Sequence, residues 1–166
     1  METTSAPRTT SEIVRSLAAM GPFLRDAFAS LTPEEASAPG PGGAFAPVEQ
    51  VWHLADLERE GFGVRIRRLR DETDPHLPDF DGARVAKDRD YAALSLVDGL
   101  RAFEVARAAN IATLLSLEPE AWARGGTQEG VGPVALRDLP LLMRDHDRAH
   151  RAEIREWQRH LGRRPG

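Results

Sequence analysis

The stretch from Leu139 to Leu161 constrains this chain more than any other. Leu139, Leu142, Met143, His146, His150, Ile154, Trp157 and Leu161 recur at the spacing that gathers side chains onto one face of an α-helix. Two histidines therefore continue a stripe that is otherwise apolar, away from the polar side carrying Arg144, Arg148 and Arg151. A helix with such a face has to bury it against other elements. Burying two imidazoles one turn apart adds a chemical condition, because each ring brings at least one donor and one acceptor that need partners.

Three further helical patterns supply the cover. From about Ser11 to about Leu31, Ile13, Leu17, Met20, Leu24, Phe28 and Leu31 form one stripe, with Ser11 as the expected N-cap. Gly21-Pro22 predicts a kink or a break inside it. A second helix is expected from about Val48 to about Arg70, opened by Pro47 and lined by Val51, Leu54, Ala55, Phe62, Ile66 and Leu69. Gly61 and Gly63 within it predict close packing or an adjusted helix. The third runs from about Tyr91 to about Leu117, and the histidine helix from about Leu136 to about His160, closed by Gly162. A single turn fits Pro119 to Trp122, and glycines between 125 and 132 mark a loop. No strand is expected. The segment from about Asp71 to about Arg89, with Pro75, Pro78 and Gly82, is long for a tight hairpin and suits a crossover. The expected fold class is therefore all-α, a four-helix bundle, with residues 1–10 as a flexible tail and 11–162 as a single domain.

Composition narrows the chemistry. The chain has 166 residues and no cysteine, so thiol nucleophiles of its own, disulfides and cysteine–metal sites are excluded. A net charge of -4 argues against nucleic acid as a partner. Arg65, Arg67, Arg68 and Arg70 form a basic cluster, read as a solvated helix flank balanced by Glu58, Glu60, Asp71 and Glu72. No apolar run is long enough to span a membrane, and the first ten residues lack the apolar stretch of a signal peptide, so a cytoplasmic setting is expected.

Only five histidines are present. His53, near the start of the second helix, is the candidate third partner for His146 and His150. Three inward imidazoles would hold a divalent ion with a coordination position left open, the pattern of a catalytic site. Hydrogen-bonded core histidines are the alternative. His146-Asp147-Arg148-Ala149-His150 also resembles the HExxH motif of zinc proteases, with Asp147 in the place of the general base, but no third ligand follows at the usual spacing. His76 and His160 are expected to be exposed.

Trp52-His53-Leu54-Ala55-Asp56-Leu57-Glu58 resembles the WHLADxE signature of the DinB/YfiT-like superfamily, and the run from His146 to Ile154 resembles its HDxxHxxQI signature. Trp122 and Arg124, followed by Gly132 to Leu136, are similar to the loop that the family carries between them. The resemblance extends from about Ile13 to about Leu161. It implies a bundle in up-down-down-up order with a long crossover between helices two and three. It also implies a divalent metal, zinc or nickel, on His53, His146 and His150, and a homodimer. Family members include enzymes that use a low-molecular-weight thiol as cosubstrate, among them S-transferases and maleylpyruvate isomerase. Two departures stand out. Glu153 replaces a common glutamine, and Gly126-Thr127-Gln128 stands where many relatives have a further histidine, so no ligand is expected from that loop.

Glu153, three residues after His150, is the carboxylate expected to orient an imidazole. Asp56 and Glu60 follow His53 by three and seven residues and could face the site, against an ordinary surface role. Two functions fit: a metal-dependent enzyme acting on a small-molecule substrate by thiol transfer, isomerisation or hydrolysis, or a non-enzymatic bundle whose metal stabilises the fold or the dimer.

Overall fold

The structure, a computed structural model, describes residues 9–162. The tail expected over 1–10 lies outside them except for its last two residues. Thr9 caps the first helix: its side chain accepts from the Glu12 amide, and Glu12 answers by accepting from the Thr9 N–H. The cap therefore lies two residues before the expected Ser11. The first bundle helix comprises α1 (Thr10–Ser16), a 3₁₀ turn (Leu17–Ala19) and α2 (Met20–Phe28). Pro22 has no N–H and its ring crowds the carbonyl four residues back, which places the irregularity at Ala18, one turn before the proline. A short α3 (Pro33–Ala36) follows.

The second bundle helix is α4 (Pro47–Asp56), a π-helical turn (Leu57–Phe62) and α5 (Gly63–Asp71). Both alternatives read from its glycines hold. The π turn closes with the Gly63 N–H on the Glu58 carbonyl, and a Cβ on Gly63 would lie 2.9 Å from that same oxygen. The crossover carries β1 (His76–Leu77), α6 (Gly82–Asp88) and a 3₁₀ turn (Tyr91–Ala93). The third bundle helix, α7 (Leu96–Leu115), starts five residues later than expected because Ser95 caps it, accepting from the Asp98 amide. After a 3₁₀ turn (Pro119–Ala123) come β2 (Gly125–Gln128) and β3 (Gly132–Ala135), and then α8 (Leu139–His160). Gly162, at φ 71°, ends α8 as expected.

The three strands correct the strand-free expectation. β2 pairs antiparallel with β3 and parallel with β1, with His76 opposite Thr127 and Leu77 opposite Gln128. They are two to four residues long and rich in glycine and proline, too short for any alternation of polar and apolar residues to show.

Cross-helix contacts fix the directions. Trp52 donates to the Ser95 carbonyl, and six residues further along Glu58 meets Arg107 and Asn110, so the second and third helices run parallel. Gln50 meets Glu153, while Phe62 meets His146, so the second and fourth are antiparallel. Phe28 packs edge-on against Trp157. Arg107 joins the Leu17 carbonyl to Asp147, which makes the first and fourth helices parallel. The order is up-down-down-up, and the parallel middle pair is what makes a long crossover necessary.

Two apolar clusters fill the bundle. One gathers Leu17, Phe62, Ile66, Leu69, Leu77 and Met143, and the other gathers Met20, Leu24, Phe28, Leu54, Phe103 and Trp157. Each large side chain buried this way contributes about 1.5–3 kcal/mol. Leu142 and Leu161, expected in the stripe of the fourth helix, are instead exposed. Among the described residues no helix is long and apolar enough to cross a membrane.

Candidate metal centre

Antiparallel packing of α4 against α8 brings His53 to His146 and His150. One ring nitrogen from each lies within 4.8 Å of the others. The ring centroids are 4.4 Å apart for His146–His150, 5.1 Å for His53–His150 and 6.0 Å for His53–His146. The Nε2 atoms of His146 and His150 face each other at 3.1 Å. Two nitrogens bound tetrahedrally to zinc would stand about 3.3 Å apart, from bonds of about 2.0–2.1 Å.

The tautomer of His150 follows from its neighbours. Its Nδ1 lies 2.8 Å from the side-chain oxygen of Gln50, whose amide nitrogen donates to Glu153 Oε2 at 2.8 Å. An ionised carboxylate only accepts, so the amide nitrogen of Gln50 must face Glu153 and its oxygen must face the imidazole. Nδ1 of His150 therefore carries the proton and Nε2 presents a lone pair. Glu153 stands 3.3 Å from the same Nδ1, so it supports the ring directly and through Gln50. Gln50 sits three residues before His53 on the same helix face, a signal the sequence offered and that pointed to no role on its own.

Burial lowers the basicity of all three rings. Desolvation, with His150 adding repulsion, brings His53 down to about 4. Desolvation first, then His150 and His53, brings His146 down to about 3. His150 is lowered too, mainly by desolvation, with Glu153 and Asp147 opposing. All three imidazoles are neutral at pH 7. Among the described residues the buried Nδ1 of His53 has no hydrogen-bond partner. A Cβ on Gly82 would lie 2.5 Å from Cε1 of His53 and 2.8 Å from that Nδ1, so α6 begins with glycine where it roofs the ring. Phe45 and Phe80 flank His53 at 5.6 Å and 6.4 Å. Neutral lone pairs, converging nitrogens and an orphaned buried ring atom fit a divalent cation with nitrogen ligands.

The other predicted residues separate clearly. Asp56 is buried, but its carboxylate accepts from Tyr91 Oη at 2.6 Å, from Arg89 Nη1 at 2.6 Å and from Arg59. No hydrogen bond joins it to an imidazole, and its bonds fasten the crossover to the second helix. Glu60 shares Arg89. These contacts hold Asp56 below the usual carboxylate range even though burial pushes the other way. His76 and His160 are exposed. Arg144 and Arg148 pair with Asp145, and Arg151 lies over Phe23, so these arginines of the fourth helix face away from the imidazoles.

Asp147 is not placed to act as a base. It is buried in a cluster with Arg107 and Glu58. Arg107 donates from Nε to Glu58, from Nη1 to Asp147 and to the Leu17 carbonyl, and from Nη2 to both carboxylates, at 2.8–3.0 Å. Glu58, 2 % exposed, and Arg65 both depart from the expected solvated flank. Arg65 is only 8 % exposed, whereas Arg68 and Arg70 do lie outside, paired with Glu72 and Asp71.

The comparisons agree with this architecture. The model of the DinB superfamily matches residues 18–154. No curated protein matches the chain. Among solved structures, YfiT from Bacillus subtilis is similar, with a TM-score of 0.86 and 19% identity, over 99% of this chain and 94% of that one. YfiT is described as a probable metal-dependent hydrolase with an unusual four-helix bundle topology.

Proposed function

The chain belongs to the DinB superfamily, and on that premise we propose that it is a metal-dependent enzyme acting on a small molecule, with His53, His146 and His150 holding one zinc or nickel ion. The observation that carries this reading is the convergence of three imidazoles of lowered basicity, with one ring nitrogen from each within 4.8 Å of the others. Three ligands leave a position open, unlike a closed structural site. An ion held there lowers the pKa of a coordinated water or thiol towards neutrality.

The chain's own residues supply the rest. Gln50, anchored by Glu153, fixes the proton of His150 on Nδ1 and keeps Nε2 free. Phe45, Phe80 and Gly82 close over His53 and limit water around it. The chain has no cysteine, so the nucleophile comes from water, giving hydrolysis, or from a small thiol, giving transfer or isomerisation. The description of YfiT favours hydrolysis as the first assay.

The test compares zinc- and nickel-loaded wild type with His53→Ala on ester, amide and thiol-transfer substrates. Turnover that disappears in the variant while the melting temperature stays within a few degrees supports an enzyme. Loss of metal together with collapse of the fold, and no turnover by the wild type, would make the ion structural.

A further inference from the structure

Arg65 is 8 % exposed and among the described residues has no hydrogen bond or ion pair. Its Nε is fully buried and unsatisfied. Asp79 acts on it only through space, and burial lowers its pKa. An ionised group buried without a partner costs several kcal/mol, and an arginine cannot escape the cost by losing its proton. Among the described residues the compensation in contact with the guanidinium is the Phe62 ring, 5.5 Å from Cζ, which offsets about 0.5–2 kcal/mol, and Asp79 adds a through-space attraction.

The same ring leads to the metal centre. Phe62 packs edge-on against His146 with centroids 5.8 Å apart. Arginine on a helix leans towards the N-terminal turn, which for Arg65 is the turn carrying Phe62. The guanidinium charge is felt at His146, which it helps to hold neutral. Phe62 thus touches both an unpaired cation and one of the three imidazoles, and an ion held by neutral ligands would add its own positive charge to that side.

We propose that Arg65 binds the carboxylate of the substrate, whose reacting end lies at His53, His146 and His150 across the Phe62 ring. This rests on the metal-site reading above and names the substrate class: a small carboxylic acid with a short apolar spacer. The planar fork of a single guanidinium matches a carboxylate. A phosphate dianion would call for further cations, and Arg67 and Arg68, the next basic residues on the helix, lie exposed or paired with Glu72.

The test uses ¹⁵N-labelled protein, zinc-loaded and metal-free, titrated with glutarate and with glutaramide. The Arg65 Nε–H cross-peak is identified by its absence from Arg65→Lys. Glutarate is expected to shift that cross-peak and glutaramide to leave it in place. In Arg65→Gln the glutarate affinity should fall by about tenfold or more, with an intermediate loss in Arg65→Lys and zinc stoichiometry unchanged. A cross-peak that stays put at saturating glutarate in both samples overturns the assignment, as does equal glutarate affinity in Arg65→Gln. Should Arg65→Gln not fold, the wild-type cross-peak decides. Zinc refusal combined with a glutarate-dependent shift in the metal-free sample would sink the metal reading and leave Arg65 as an anion site.

Discussion

His146 and Asp147 are neighbours on α8, yet they enter two buried polar clusters of opposite kind. On the Asp147 side, all five N–H donors of Arg107 end on oxygens of the protein, and Asn110 completes Glu58. On the His146 side, nitrogens face nitrogens, and among the described residues His53 Nδ1 and the nearby Arg65 Nε have no hydrogen-bond partner. The first cluster is satisfied by the chain and locks the second, third and fourth bundle helices to a carbonyl of the first. The second is left short of partners, which fits the metal ion and the carboxylate proposed above. Polar burial by itself therefore says little about function, and the state of its hydrogen bonds says much.

The largest expected effect comes from breaking the satisfied cluster. Arg107→Met leaves Glu58 and Asp147 buried together without a cation, at a cost of about 3–5 kcal/mol. Urea unfolding of the metal-free protein would measure it, and a loss below about 1 kcal/mol would show the cluster to be dispensable.

Acid comes next and acts on the other cluster. The folded protein holds His53 near 4 and His146 near 3, whereas an unfolded chain has them at 6.5. Between those values the unfolded state binds more protons, so the stability of the metal-free protein falls as pH drops below 6.5 and levels off near the folded values. One unit below 6.5 the loss is about 1.4 kcal/mol for each of these histidines. A flat stability profile between pH 7 and 5 would contradict the neutral triad.

A smaller effect sharpens the comparison from within the site. Gln50→Leu removes the acceptor that fixes the His150 tautomer and is expected to weaken zinc about ten- to hundredfold with little change in fold. Zinc affinity equal to wild type would leave Gln50 as packing only.

The two clusters were unequally legible in the sequence. His146 and His150 showed because four-residue spacing inside an apolar stripe is a local pattern, and His53 showed because it recurs on an otherwise apolar helix face. The length of the segment between the second and third helices made a crossover legible, and the bundle order came from the family resemblance. The Arg107 cluster was not, since its partners lie 49 and 40 residues away and each alone looks like an ordinary surface charge. Arg65 was hidden by its exposed neighbours and by the π turn, which shifts the inward face of the second helix after Leu57. Asp56 follows His53 by one turn, but Tyr91 and Arg89, brought in by the crossover, claim its carboxylate.

Zinc titration of metal-free protein by calorimetry, wild type beside His53→Ala, tests the three-histidine site most directly. One ion per chain in the wild type is predicted, with at least about a hundredfold weaker binding in a variant that stays folded. A wild type that takes up neither zinc nor nickel, or a His53→Ala protein that binds as tightly as the wild type, would contradict it.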